Sequence, residues 1–261
     1  MSKQYPLMLD LTKRSCLVVG AGKVAVRKIA SLLEAGAAVT VISPEADPQV
    51  AQWAQQGQLE WQQTVYSGQD VRGYALVIAA TNRPDVNLAV HQAVSACGGW
   101  INVVDRPDLC NFTVPSVLRR GKLTIAISTA GASPSLARRI KQQLEAEFGT
   151  EYAAYVDFLA AMRQRVLAQV DDPAMRKQLF QQLLSDTYLH ASEERRWQMA
   201  EALLAEAQVD GGGQGGNDDE TVESGKPAEH AGAYADELGD RPVETVGPVR
   251  PMYGGRNRDE R

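Results

Sequence analysis

Histidine and cysteine are scarce in this chain, three of each in 261 residues. The histidines, His91, His190 and His230, stand far apart with no pair at ligand spacing, which argues against a His-based metal cage. The cysteines, Cys16, Cys97 and Cys110, are odd in number and lack CxxC spacing. Neither a disulfide framework nor a zinc site is expected. Cys16 opens an apolar stretch and Cys97 closes a helix-like one, so both read as core or near-core thiols; Cys110 alone stands among polar candidates. Long hydrophobic runs are missing too. None approaches the roughly 18–20 residues of a membrane span, and the opening MSKQYPLMLDLTKRS has no apolar signal-peptide core. A cytoplasmic protein with no membrane partner is expected.

Charge of one sign is missing from most of the chain. The formal net charge is −5, but residues 209–261 hold 12 acidic and 6 basic residues, and residues 1–208 hold 20 and 21. The acidity belongs to the C-terminal segment. With a near-neutral remainder and no basic recognition helix, nucleic acid is not an expected partner. Residues 209–261 also carry 11 of the 22 glycines and few large apolar side chains, a composition that cannot offset its ordering entropy. A disordered tail is expected there.

What is present, over residues 15–110, is an alternation of strand and helix patterns. SCLVVG reads as a buried strand, KVAVRKIASLLEAG as an amphipathic helix ending at Gly36, and AVTVIS as a strand. PQVAQWAQQG reads as a helix, QLEWQQTVY as a less buried strand and YALVIAAT as a strand; PDVNLAVHQAVSACG is a helix and WINVVD a strand. Such a series implies an α/β fold of the Rossmann type, a parallel sheet with helices on both faces. The grammar then changes. NFTVPSVLRRGKLTIAIST gives two strand-like runs around RRGK with no crossover helix, which predicts a hairpin. SPSLARRIKQQLEAEFG is a helix with Ser133 as N-cap, Pro134 at its first position and Gly149 as its stop. Residues 151–207 read as helical throughout, with a break at 171–173.

Gly20-x-Gly22-x-x-Ala25 follows a strand and opens a helix, the context that a dinucleotide-binding turn requires. Gly20 permits the tight turn, Gly22 lets a pyrophosphate approach the helix N-terminus, and Ala25 allows close helix–strand packing. The alternative is a purely structural turn. Glu45 falls where an acid binds a ribose 2′-hydroxyl, favouring NAD, although Lys23 beside the loop and Pro44 in the turn are unusual. Thr81 ends a strand at the expected cofactor edge; it is either a cofactor contact or a cap of the helix after Pro84. Asp105 ends WINVVD, as a proton acceptor or as a loop-capping residue. The loop 128–135, STAGASPS, joins a strand to a helix N-terminus and has the makings of an anion-receiving surface. Arg119, Arg120, Lys122, Arg138, Arg139 and Lys141 flank it, as an anion site or as a solvated basic face.

Taken in order, CLVVGAGKVAVRKIASLLEAGAAVTVISPE, VIAATNRPDVN and NVVDRPDLCNFTVPSVLRRGKLTIAISTAGASPSLARRIKQQLE resemble precorrin-2 dehydrogenase/sirohydrochlorin ferrochelatase, the N-terminal module of siroheme synthase, over about residues 5–200. The resemblance implies NAD-dependent oxidation of precorrin-2 to sirohydrochlorin, with Fe²⁺ as a further substrate where siroheme is also made. It implies a homodimer built of an NAD-binding domain over 1–112, a dimerisation domain over 113–150 and a helical domain over 151–208, ahead of the tail. It places cofactor contacts at Gly22, Lys23, Val24, Pro44 and Glu45, which join Gly20 and Thr81 of the residue reading above, and catalysis at Asp105. Substrate contacts fall at Asn102, Ser128, Thr129, Ser133 and Arg138; Thr129 stands where relatives have the second serine of a pair. No metal-ligating residues are implied, and the macrocycle nitrogens supply most iron ligands. No methyltransferase module follows, so uroporphyrinogen methylation is expected from another protein. A dehydrogenase without chelatase activity and an NAD-sensing regulatory domain are the alternatives.

Overall fold

The computed structural model describes residues 4–211. Their N-terminal half forms β1 (Ser15–Val19), α1 (Lys23–Glu34), β2 (Ala38–Ile42), α2 (Pro48–Gln55), β3 (Leu59–Gln62), β4 (Leu76–Ala79), α3 (Pro84–Ala96) and β5 (Ile101–Val103). The five strands make one parallel sheet in the order β3-β2-β1-β4-β5, a Rossmann-like α/β fold. Strand period two sorts its core onto two faces. Cys16, Val18, Val39, Val41 and Ile78 pack with Ala25, Ile29 and Leu32 of α1 and Val50 of α2. Leu17, Val19, Val77, Ala79, Ile101 and Val103 pack with Val90 and Val94 of α3 on the other. The chain turns from one side of β1 to the other between β3 and β4, so the crevice at a topological switch point opens beyond the carboxyl ends of β1 and β4.

β6 (Ser116–Arg120) and β7 (Leu123–Ile127) pair antiparallel around Gly121-Lys122. Only Gly121 has positive φ, +57°, the requirement of a type II′ hairpin turn. The helix α4 (Pro134–Glu147) starts on Ser133, whose hydroxyl accepts the Leu136 N–H at 3.2 Å, with Pro134 at its first position. α5 (Glu151–Gln169), α6 (Pro173–Leu183), α7 (Asp186–His190) and α8 (Glu193–Gly211) follow and share a third core around Tyr155, Phe158, Met162, Leu183 and Leu204. The break at 171–173 arises because Asp172 caps α6 through the Met175 N–H at 2.8 Å and Pro173 takes its first position.

Four expectations change. Cys97 is exposed: α3 ends at Ala96, two residues past its last buried residue, Val94, and the thiol donates to the Val94 carbonyl at 3.1 Å. The last strand stops at Val103, two residues before Asp105. The C-terminal helices break twice more, at 184–185 and 191–192, the second where Arg196 gathers the end of α7. Its buried guanidinium donates to the carbonyls of Tyr188 (2.7 Å), Leu189 and Ala191 (3.1 Å each) and lies 5.6 Å from the Tyr155 and Phe158 ring centroids. Finally, α8 runs through Gly211, so the tail expected from 209 begins inside a helix; its remainder, 212–261, lies outside the described residues.

Candidate functional site

The glycine turn is stitched to its neighbours by backbone bonds. Gly20 N–H donates to the Ile42 carbonyl at 2.9 Å and Asp47 N–H to the Ala21 carbonyl at 2.9 Å, fastening the turn to the end of β2. Gly20 has φ +101°; a Cβ there would lie 2.5 Å from the Ala80 carbonyl oxygen and 2.7 Å from its carbon. Both the turn and the approach of β4 therefore demand glycine. Gly22 differs. It caps α1 with φ −83° and no side-chain cap bond, and a Cβ would meet nothing within 4 Å. Among the described residues no atom accounts for this glycine. The space it leaves adjoins the first-turn N–H groups of α1, the surface a dinucleotide pyrophosphate occupies. Lys23 and Val24 are exposed on that turn, and the residues present fit the cofactor.

At the end of β2, Pro44 and Glu45 are exposed. The loop is set by Ser43, whose hydroxyl donates to the Glu45 carbonyl at 2.6 Å and whose carbonyl accepts the Trp61 indole N–H at 2.9 Å. Thr81, beyond β4, is held by Asn87 and caps no amide within α3, whose N-cap Arg83 has no side-chain cap bond. Its hydroxyl donates to Asn87 Oδ1 at 2.7 Å and accepts the Arg83 N–H at 3.1 Å, and Asn87 Nδ2 donates to its carbonyl at 3.1 Å. Asn87, buried on α3, reads in sequence as an ordinary helix polar residue.

Asp105 lies at the same sheet end, since Val104 N–H donates to the Ala79 carbonyl at 2.9 Å. It is exposed, with φ +61°, and among the described residues nothing hydrogen-bonds its carboxylate. Its role as a loop cap therefore fails, and the carboxylate stands free beside the crevice. The Asn102 side chain, buried beneath, donates to the Phe112 carbonyl at 3.1 Å. The histidine nearest the turn, His91, is an anchor: its Nδ1 lies 2.9 Å from the Leu109 carbonyl. Lys28 on α1 had no sequence signal. Burial, then Arg27, push its ammonium below the ordinary lysine range.

The 128–135 loop is ordered by its own hydroxyls. Ser128 Oγ accepts the Ala130 N–H at 3.1 Å, and Thr129 Oγ1 accepts the Ser133 N–H at 3.0 Å. Ser128, Thr129 and Ser133 thus each act as acceptors and keep a hydroxyl hydrogen to donate. Most of the basic flank is engaged. Arg119 pairs with Glu34 (3.5 Å), Lys122 with Asp157 (2.9 Å) and Lys141 with Glu145 (3.4 Å), while Arg120 donates to the Phe148 carbonyl at 2.9 Å. Arg138 and Arg139 remain exposed without an ion pair among the described residues. The structure brings the glycine turn, Glu45, Thr81 and Asp105 to one sheet end. No hydrogen bond or ion pair among the described residues ties the 128–135 loop to them.

A family model described as "Putative NAD(P)-binding" matches residues 7–116, and one described as "Sirohaem biosynthesis protein central" matches residues 120–147. The siroheme synthase of Methylococcus capsulatus is 37% identical over 202 residues, 77% of this chain and 43% of its own. That of Nitrosococcus oceani is 36% identical over 210 residues, 80% of this chain and 45% of its own. The chain thus spans less than half the length of these relatives. The solved structure of SirC, a precorrin-2 dehydrogenase, superimposes with a TM-score of 0.67 at 30% identity, covering 78% of this chain and 100% of that one. With a 30% identical relative matched over its whole length, the chain belongs to the SirC/siroheme synthase family.

Proposed function

We propose that this chain oxidises precorrin-2 to sirohydrochlorin with NAD⁺ as the oxidant. The observation that carries the reading is the free Asp105 carboxylate at the sheet end where Gly22 leaves space over the first turn of α1. When bound, NAD⁺ supplies a hydride acceptor. The chain's own residues do the rest. The N–H groups of Gly22, Lys23 and Val24 hold the pyrophosphate, with Gly20 setting the turn. Glu45, beside Pro44, accepts from the ribose hydroxyls, and Thr81 lines the crevice wall through its backbone. Asp105 takes the proton that must leave as the macrocycle loses a hydride. The Ser128, Thr129 and Ser133 hydroxyls and the Arg138 guanidinium receive substrate carboxylates, and Asn102 supports the wall beneath.

Fe²⁺ insertion is the second part of the proposal. The same carboxylate would accept pyrrole N–H protons as iron enters. In this reading the macrocycle nitrogens supply most of the iron ligands. The reading also includes a homodimer formed through residues 113–150, with 1–112 as the NAD-binding domain and 151–208 as the helical domain, working in the cytoplasm. Among the described residues no helix is long and apolar enough to cross a membrane.

The test mixes the protein with precorrin-2 and NAD⁺ and follows sirohydrochlorin by absorbance, then adds Fe²⁺ and looks for siroheme. Absence of an NAD⁺-dependent change with competent substrate would overturn the dehydrogenase; its presence without siroheme would leave the dehydrogenase alone. Cofactor choice has its own prediction. Removing the Glu45 charge in Glu45→Gln should relieve repulsion of a 2′-phosphate and narrow the preference for NAD⁺ over NADP⁺ by about tenfold in kcat/KM. An unchanged ratio would take Glu45 out of the ribose site.

A further inference from the structure

We infer that the Cys110 thiol positions Asp105. The inference rests on the reading of Asp105 as proton acceptor. Among the described residues no side-chain bond orients Asp105, so its direction is set by the backbone of its turn. Arg106 N–H donates to the Val103 carbonyl at 3.3 Å, closing a four-residue turn with Asp105 third, at φ +61°. That is the position of a type II turn that favours glycine or asparagine. An aspartate held there needs support from outside the turn.

The support converges on one atom. Cys110 Sγ accepts the Val103 N–H at 3.1 Å and lies 3.3 Å from both the Val103 and Arg106 carbonyls, to one of which its S–H donates. Asn102 Nδ2 approaches the same sulfur at 3.6 Å. Val103 and Arg106 are the first and last residues of the turn, so the thiol holds the Val103 N–H at one end and, with its S–H turned to the Arg106 carbonyl, ties the other end of the segment that carries Asp105. Beyond it, Asn111 and His91 hold the returning chain, so loss of the thiol would loosen the turn without releasing the whole loop. The half-buried Cys110 takes no part in the proposed chemistry itself.

The full chain carrying Cys110→Ala should lose about tenfold in kcat, the cost of a modest misplacement of a reacting group. Its NAD⁺ Kd should stay within about twofold, because the glycine turn is untouched. The Val103 amide should exchange at least about tenfold faster with solvent, while the Ile101 amide, bonded to Asn111, keeps its protection. Cys110→Ser, which restores a donor and acceptor, should recover most of the rate and serves if the alanine variant folds poorly. Adding Cys110→Ala to Asp105→Asn should slow the enzyme no further. If Asp105→Asn is inactive but Cys110→Ala turns over like the wild type, or the Val103 amide stays protected, the positioning role is wrong and the base is not. If the two losses add, Cys110 acts on something other than Asp105. A fully active Asp105→Asn would overturn the base and this inference with it.

Discussion

Asp105→Ala should abolish turnover, lowering kcat for NAD⁺-dependent oxidation by at least about a hundredfold, the usual worth of a placed general base. The Kd for NAD⁺ should change by less than about twofold. The separation follows from where the side chain stands. It is exposed and no donor among the described residues depends on it, so truncation leaves no buried group unpaired. The first turn of α1 and the Glu45 loop, which hold the cofactor in this proposal, are fastened to each other by the Gly20 and Asp47 amides. Alanine tolerates φ +61° less well than aspartate, at a cost on the order of 1 kcal/mol. Asp105→Asn keeps the shape and suits that conformation, and it isolates the charge. Single-turnover absorbance with saturating NAD⁺ reads the chemical step directly. Full activity in both variants would make Asp105 a bystander.

The two glycines of the phosphate turn should fail in opposite ways. Gly20→Ala forces a Cβ to within 2.5 Å of the Ala80 carbonyl oxygen at a positive φ. The obstacle is backbone at the centre of the sheet, so the β1–β4 pairing itself must give. A loss of about 3 kcal/mol or more is expected, combining backbone strain with the displaced strand. Gly22→Ala meets no atom and has an ordinary φ. Its stability should fall by less than about 1 kcal/mol, the difference between these residues at an N-cap. Its NAD⁺ affinity should nevertheless drop by about tenfold or more, because the methyl fills the approach to the α1 N-terminus. Urea unfolding paired with fluorescence titration of the cofactor distinguishes the two. Equal destabilisation, or undiminished cofactor binding by Gly22→Ala, would remove the reason for that glycine.

The sheet was legible because each buried strand repeats with period two or runs apolar, and each helix begins or ends on a residue with one physical reading. Ser133-Pro134 and Asp172-Pro173 are such starts, and the structure uses both. The glycine turn was legible for the same reason. What stayed hidden depends on partners distant in sequence. Nothing local says that Asn87 will turn inward to Thr81, that Arg196 will gather three carbonyls at the end of α7, or that Arg119, Lys122 and Lys141 will each find a carboxylate. A basic cluster in sequence counts charges but not their neighbours. Asp105 lay between these cases. Its place at a strand end was visible, whereas its freedom from any hydrogen bond could be seen only once the loop around it was folded.

The loop after β5 also bears on how copies of this protein meet. An edge strand offers a row of unpaired amides and carbonyls to any passing chain. Here Asn111 fills that row from within: its side chain accepts the Ile101 N–H and donates to the Gly99 carbonyl, both at 2.7 Å, and its own N–H donates to the Ile101 carbonyl at 3.1 Å. With Cys110 serving Val103, a single residue and a thiol stand in for a sixth strand. The opposite edge, β3, is four residues long and carries exposed Glu60, which is unfavourable for strand addition. The parallel sheet is therefore covered at its β5 edge and unfavourable for strand addition at its β3 edge, and aggregation by edge pairing is disfavoured.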